Sequence, residues 1–172
     1  MALIVVSLDR AAHDRKAFDC GTEPLNDFLR AKAARHQRLR VSRTFVLTNP
    51  AVPQRILGYY TLSNCHIARK DLGVDEAKAL PRHSVPAVML ARLAVDQGQQ
   101  GKHYGLWLLM DAIKRCAVVG QQSGVYALVV DAKDDEAKRF YLRYGFIAII
   151  DRPLTLYLPL ETGLKALQAL QV

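Results

Sequence analysis

One stretch constrains this chain more than any other: VMLARLAVDQGQQGKHYGLWLLMDAIKRCAVV, residues 88–119. Val88 to Val95 is a nearly unbroken apolar run, short enough to be a buried strand. Tyr104 to Val119 places Leu106, Leu109, Met110, Ile113 and Ala117 near one face of a helix, and Gly120 or Gly124 ends it. The loop joining them is rich in Gln and Gly and carries Lys102. Strand, tight polar loop and helix in that order form the βα half of an α/β unit. The arrangement also leaves unbonded backbone N–H groups and the positive helix end where an anion can sit.

The rest of the chain alternates in the same way. Residues 3–8 predict a first strand and Phe18-Asp19-Cys20-Gly21 a turn. Thr22 can cap a helix with Pro24 in its first turn and Leu25, Phe28 and Leu29 on one apolar face. Arg30, Lys32, Arg35 and Arg38 must then largely face solvent. Residues 43–48 and 56–63 predict a hairpin around Asn49-Pro50-Ala51-Val52-Pro53, and residues 67–86 a loop or short-helix region. Val125 to Val130 is apolar nearly throughout, as a strand buried on both faces should be. Asp134 or Asp135 can cap a helix through Tyr144 that Gly145 stops; 147–150 and 154–158 predict the last strands, and Glu161 to Leu170 a closing helix. Repeats, linkers and low-complexity tracts are absent from this pattern, so one α/β domain over residues 1–172 is expected, with a mixed central sheet flanked by helices.

Composition narrows the class. No apolar run reaches the roughly 18 residues needed to span a membrane, and the opening MALIVVSLDRAAHDRK reads as a strand, not a signal peptide. Cys20, Cys65 and Cys116 are odd in number and widely spaced, which fits neither a disulfide framework nor a zinc site. They read as small core residues of a reduced, cytoplasmic protein, and nothing points to a metal. The net charge of +8 favours polyanionic partners. It concentrates at Arg30, Lys32, Arg35, Arg38, Arg40 and Arg43, with His36 among them, which are candidate contacts to nucleic-acid phosphates. The plainer reading of those residues is a solvated face.

The segments FDCGTEPLNDFL (18–29), GYYTLS (58–63), VPAVMLARLAVD (85–96), QQGKHYGLWLLMDAIKR (99–115), ALVVDAKDDEAKRFYLRYGF (127–146) and LPLET (158–162) together resemble the GNAT acetyltransferase superfamily. Within it they are most similar to the acetyltransferase toxins of bacterial type II toxin–antitoxin systems, the TacT- and KacT-like branch. The resemblance covers nearly the whole chain. It implies an acetyl-CoA-dependent N-acetyltransferase whose substrate is the α-amine of the amino acid on a charged tRNA, so that acetylation blocks translation. It also implies neutralisation by a ribbon-helix-helix antitoxin and a homodimer.

The superfamily's pyrophosphate loop follows R/Q-x-x-G-x-G/A. Gln100 fills its first position and Gly105 its last, with Gly101, Lys102, His103 and Tyr104 in between. His103 stands where the middle glycine is usual; its bulk can hinder phosphate, or its imidazole can add a donor. The resemblance assigns the backbone of Leu93, Ala94 and Val95 to the pantetheine arm, with an N–H near Val95 for the oxyanion. It assigns Tyr141 of FYLRYGF as the acid that protonates the departing CoA thiolate, with Tyr144 as fallback. Without the resemblance, Tyr141 reads as one of several packed aromatics. A free α-amine titrates near 7.7–8.0, and an adjacent ester lowers that, so a dedicated base is not required. Lys133, Lys138, Arg139 and Arg143 are further candidates for contact with tRNA.

Two rival readings remain open from sequence. One is a GNAT enzyme acting on protein lysines or small amines. The other is a degenerate, non-enzymatic module in which His103 spoils CoA binding, against which the retained Tyr141 argues.

Overall fold

A computed structural model describes residues 2–170; Met1, Gln171 and Val172, the ends of the expected 1–172 domain, lie outside the described residues. Seven strands hydrogen-bond in the order β1-β2-β3-β4-β5-β7-β6. They are β1 (Ile4–Ser7), β2 (Arg43–Thr48), β3 (Gly58–Ile67), β4 (Val85–Val95), β5 (Ala127–Asp131), β6 (Ile147–Ile149) and β7 (Arg152–Pro159). The helices are α1 (Glu23–Asp27), α2 (Ala33–Arg38), α3 (Val74–Lys78), α4 (Tyr104–Gly120), α5 (Asp135–Arg143) and α6 (Leu160–Leu170). The sheet is mixed: β4 and β5 run parallel, and β1–β2, β2–β3, β5–β7 and β6–β7 run antiparallel. None of the described helices is long and apolar enough to cross a membrane.

The described residues gather into two compact units, residues 2–63 with Ala91–Ala112 and Asn64–Leu90 with residues 113–170, and β3, β4 and α4 contribute to both. In the first unit, Phe28, Leu29, Ala33, Val46, Tyr59 and Ala94 are among the buried residues of one apolar cluster. Tyr59 is fully buried, and its hydroxyl is satisfied by donation to the Leu25 carbonyl at 2.6 Å. A Cβ at Gly58 would lie 2.9 Å from Leu108 Cδ1 and 3.0 Å from the Ala94 carbonyl oxygen, so any larger residue here would push Leu108 and crowd β4. In the second unit, Ile67, Val85, Ala87, Ala127, Val129 and Tyr157 belong to a separate cluster. The Glu76 carboxylate on α3 accepts hydrogen bonds from the Tyr126 and Tyr157 hydroxyls, and Asp71 pairs with Arg152 at 2.9 Å.

Several local expectations change. The expected single basic helix is α1, a π-helical turn at Phe28–Lys32 and α2, and the chain leaves it through Arg40 at a φ of 63°. Thr22 occupies the cap position without a side-chain capping bond; its carbonyl accepts the N–H groups of Leu25 and Asn26 instead. The buried face of α4 is Leu108, Leu109, Ala112, Ile113 and Cys116, whereas Leu106, Met110 and Ala117 are half-buried. That one-residue rotation reflects an apolar helix on which several faces satisfy the same pattern. Cys20 and Cys116 are buried, but Cys65 is only half-buried. Asp134 does cap α5, accepting the Ala137 N–H at 2.8 Å, and Gly145 ends it at a φ of 93°.

Gly58→Ala is expected to lower stability by about 1–3 kcal/mol through overpacking. Urea unfolding of the variant against the parent measures this.

Candidate active site

The end of β4 is where the first unit builds its polar site. Asp96 donates its N–H to the Leu57 carbonyl (3.0 Å). Its carboxylate accepts the N–H groups of Asp19 (3.1 Å) and Gly98 (3.0 Å), and its carbonyl that of Gln99 (2.9 Å). Gln97 returns a bond from its N–H to the Asp19 carbonyl at 2.8 Å. The loop after the strand is therefore fastened to the turn at residues 18–21. A Cβ on Gly21, whose φ is 84°, would stand 2.3 Å from Gln97 Nε2. Asp19 Oδ1 accepts from Gly21 N and Asn26 Nδ2, both at 2.9 Å, while buried Asn26 accepts the Cys20 N–H. The Gly21 N–H first, and Asn26 second, hold the Asp19 carboxyl below its ordinary value.

Gln100 leaves the loop with its amide committed, Nε2 donating to the carbonyls of Val95 (3.2 Å) and Cys20 (3.4 Å). The Lys102 ammonium donates to Gln99 Oε1 at 2.9 Å. Gly101 and His103 both take positive φ, 81° and 63°. Such a conformation costs a non-glycine residue roughly 1–3 kcal/mol, although histidine enters it more readily than most. The first bond of α4 runs from Trp107 N to the His103 carbonyl. The N–H groups of Tyr104, Gly105 and Leu106 thus precede the helical ladder, and the first turn of α4 carries no acidic residue. The parallel ladder between β4 and β5 ends at Leu90↔Val130, and Leu93, Ala94 and Val95 lie beyond it.

Arg92 on β4 places its guanidinium carbon 3.7 Å from the centroid of the Phe28 ring. A cavity of about 560 Å³ opens beside this pair, lined by Glu23, Pro24, Leu25, Asp27, Phe28, Lys32 and Arg92. Arg30 is paired with Glu23 (2.8 Å) and Asp27 (3.8 Å), and Lys32 with Asp27 (3.6 Å). Of the basic residues of the run from 30 to 43, Lys32, Arg35, Arg38, Arg40 and Arg43 are exposed and Arg30 is half-buried.

In the second unit, Tyr141 is a buried residue of α5. Its ring meets Phe140 and Phe146 edge-on, with centroids 5.2 Å away in each case. Desolvation holds its phenol well above the ordinary tyrosine value, so the hydroxyl keeps its proton throughout the neutral range. Tyr144 is half-buried against Phe140.

The model of the acetyltransferase (GNAT) domain family matches residues 40–148. The chain belongs to the GNAT acetyltransferases. A tRNA-acetylating toxin of Mycobacterium tuberculosis is 35% identical over 147 residues, 86% of either chain. A probable toxin TacT of Sinorhizobium fredii is 30% identical over 167 residues, 92% of either chain. A tyrosine-to-phenylalanine variant of KacT matches with a TM-score of 0.88 at 33% identity, over 99% of both chains. AtaT complexed with acetyl-methionyl-tRNAfMet matches with a TM-score of 0.88 at 30% identity, over 99% of this chain and 100% of that one. A tyrosine-to-phenylalanine variant of AtaT bound to the C-terminus of the antitoxin AtaR and to acetyl-CoA gives 0.81 at 28% identity, over 99% and 98%.

As a GNAT acetyltransferase the protein takes acetyl-CoA as cosubstrate, and its loop suits the phosphates. Three backbone donors, two positive-φ residues and a first turn free of carboxylates make a cradle for an anion. Asp19, Asn26, Asp96 and Arg92 are the residues that reading the sequence missed. The signal for two of them was present, because Asp19 and Asp96 each stand two residues before a glycine, an Asx-turn spacing. Arg92 carried no such signal. Among the described residues, no group of three His, Cys, Asp or Glu side chains could hold a metal ion.

Asp96→Ala removes an acceptor from two backbone donors. It is expected to cost about 1–3 kcal/mol and to speed amide exchange at Asp19 and Gly98, measured by hydrogen–deuterium exchange. Asp19, with its lowered value, stabilises the fold above the ordinary carboxylate range, and that contribution is lost as pH falls through the lowered value. Acid unfolding of Asp19→Asn is accordingly expected to be less steep than that of the parent.

Proposed function

We propose that this chain is a toxin that acetylates the α-amine of aminoacyl-tRNA and so stops translation. The observation that carries this reading is the near full-length likeness to a tRNA-acetylating toxin and to AtaT complexed with acetyl-methionyl-tRNAfMet. In this reading the backbone of Gly101 to Gly105 receives the pyrophosphate of acetyl-CoA, while the Gln100 amide holds the loop in shape. Leu93, Ala94 and Val95 pair with the pantetheine arm through their backbone, and an N–H near Val95 receives the oxyanion. The neutral α-amine attacks the thioester carbonyl, the C–S bond breaks as Tyr141 gives its proton to the departing thiolate, and the new amide nitrogen loses its extra proton to solvent, from which the Tyr141 phenolate is reprotonated. Retention of that proton at neutral pH supports Tyr141 as an acid. The same desolvation makes it a weaker acid in the resting protein, but a thiolate forming in a desolvated site gains basicity as well.

Arg35, Arg38 and Arg40 are the favoured contacts to tRNA phosphates, because Arg30 and Lys32 already answer to carboxylates. The antitoxin is taken to be of the ribbon-helix-helix type, the active form a homodimer, the location cytoplasmic, and residues 1–172 one functional domain. The AtaT structure with the AtaR C-terminus supports the antitoxin assignment.

Acetyl transfer from radiolabelled acetyl-CoA to total charged tRNA, with deacylated tRNA as control, tests the reading. Label confined to charged tRNA is expected; label on proteins or small amines alone would replace this substrate. Tyr141→Phe is expected to retain acetyl-CoA binding and lose about 10²–10⁴-fold in turnover. For the parent, no alkaline loss of turnover from this group is expected below about pH 10, as a pH–rate profile would record. Gly105→Val should weaken acetyl-CoA binding, which calorimetry measures.

A further inference from the structure

We infer that the Arg92 guanidinium is a direct ligand of the 5′-phosphate of the terminal nucleotide of charged tRNA, received in the cavity beside Phe28. The inference rests on the reading of this chain as an enzyme of charged tRNA and adds to it a contact outside the cosubstrate loop. Arg92 is half-buried on β4, with its guanidinium carbon 3.7 Å from the centroid of the Phe28 ring. The stack covers one face of the planar group and fixes its orientation. Among the described residues, no carboxylate, carbonyl or hydroxyl accepts a hydrogen bond from it. Its in-plane donors are therefore uncommitted, on a residue that lines a cavity of about 560 Å³. That volume falls within the usual range of small-ligand sites.

The acidic residues of the cavity do not act as the missing partner. Glu23 pairs with Arg30 at 2.8 Å and Asp27 with Lys32 at 3.6 Å. These pairs cancel and leave Arg92 as the surplus positive charge. Pro24, Leu25 and Phe28 make much of the remaining wall apolar. One cation on an apolar wall suits a nucleotide, whose base and ribose present broad faces and whose phosphate carries the charge. The spacing agrees with this. Arg92 stands three residues before Val95, about 10 Å along a strand. In an aminoacylated terminal nucleotide the α-amine and the 5′-phosphorus are also about 10 Å apart along the extended covalent path. An amine poised near Val95 thus brings the phosphate to Arg92, whose fork can hold two phosphate oxygens at once.

Arg92→Met tests this, because it keeps an unbranched stem over Phe28 and removes the charge. Arg92→Lys keeps the charge and loses the fork. Acetyl transfer is measured with charged tRNA, with 3′-aminoacyl-adenosine and with its 5′-monophosphate, each carrying the amino acid whose tRNA the parent labels best. The parent is expected to show a KM about tenfold lower for the monophosphate than for the nucleoside. Arg92→Met should erase that difference and raise the KM for charged tRNA by about tenfold, with kcat little changed. The nucleoside, which has no phosphate to lose, should keep its KM, and Arg92→Lys should fall between parent and Arg92→Met. Calorimetric affinity for acetyl-CoA should match the parent in both variants, which also shows that they fold. An equal loss with nucleoside and monophosphate would overturn the inference and place the guanidinium against the amino acid or the base. Weakened acetyl-CoA binding would overturn it too, moving the contact to the cosubstrate's phosphates. A parent that labels no charged tRNA would overturn the proposed function itself, an outcome read from the parent alone.

Discussion

The first unit depends on how β4 ends. A strand must stop hydrogen-bonding to its neighbours somewhere, and the groups exposed there need partners. Asp96 supplies them with one carboxylate and two backbone groups, tying the loop to residues 19, 57, 98 and 99 at once. Gln100 repeats the device one turn further on. With these ties the three leading N–H groups of α4 and the positive-φ pair Gly101 and His103 have a fixed setting. The proposed phosphate cradle needs donors held before an anion arrives, and the side chains of Asp96 and Gln100 hold the loop from outside it.

Charge is sorted by the same fold. The run from Arg30 to Arg43 looks uniform along the chain, yet it serves two roles. Arg30 and Lys32 turn back onto Glu23 and Asp27. Arg35, Arg38 and Arg40 stay in solvent, where attraction to a polyanion is not cancelled by a bound carboxylate. The π-helical turn at Phe28–Lys32 shifts the phase of the helix between these two groups. Beneath it, the stacked Arg92 and Phe28 pair gives the adjoining cavity a wall that is both apolar and cationic.

Tyr141, the proposed proton donor, sits in an apolar setting. It lies among Phe140 and Phe146, and desolvation alone accounts for the raised value of its phenol. Hydrogen bonds to carboxylates work differently at Tyr126 and Tyr157, which donate to Glu76 and so fasten α3 in the second unit. One residue type serves as an anchor in one setting and as a candidate acid in another, and the environment decides which.

The sequence by itself determined the alternation of strands and helices, the βα turn at residues 88–119, an aspartate cap at Asp134 or Asp135 and the stop at Gly145. Each is written in local patterns of apolar spacing, capping carboxylates and glycine, which act over a few residues. It also carried the GNAT resemblance through motifs that are contiguous in the chain. Tertiary structure alone decided which face of α4 is buried, because a helix apolar on several sides is oriented by its neighbours and not by its own period. Tertiary structure likewise decided that Asp96 answers Asp19 across 77 positions and that Arg92 stacks on Phe28. Those outcomes rest on partners distant in sequence, and no local pattern encodes a partner that arrives only when the chain has folded.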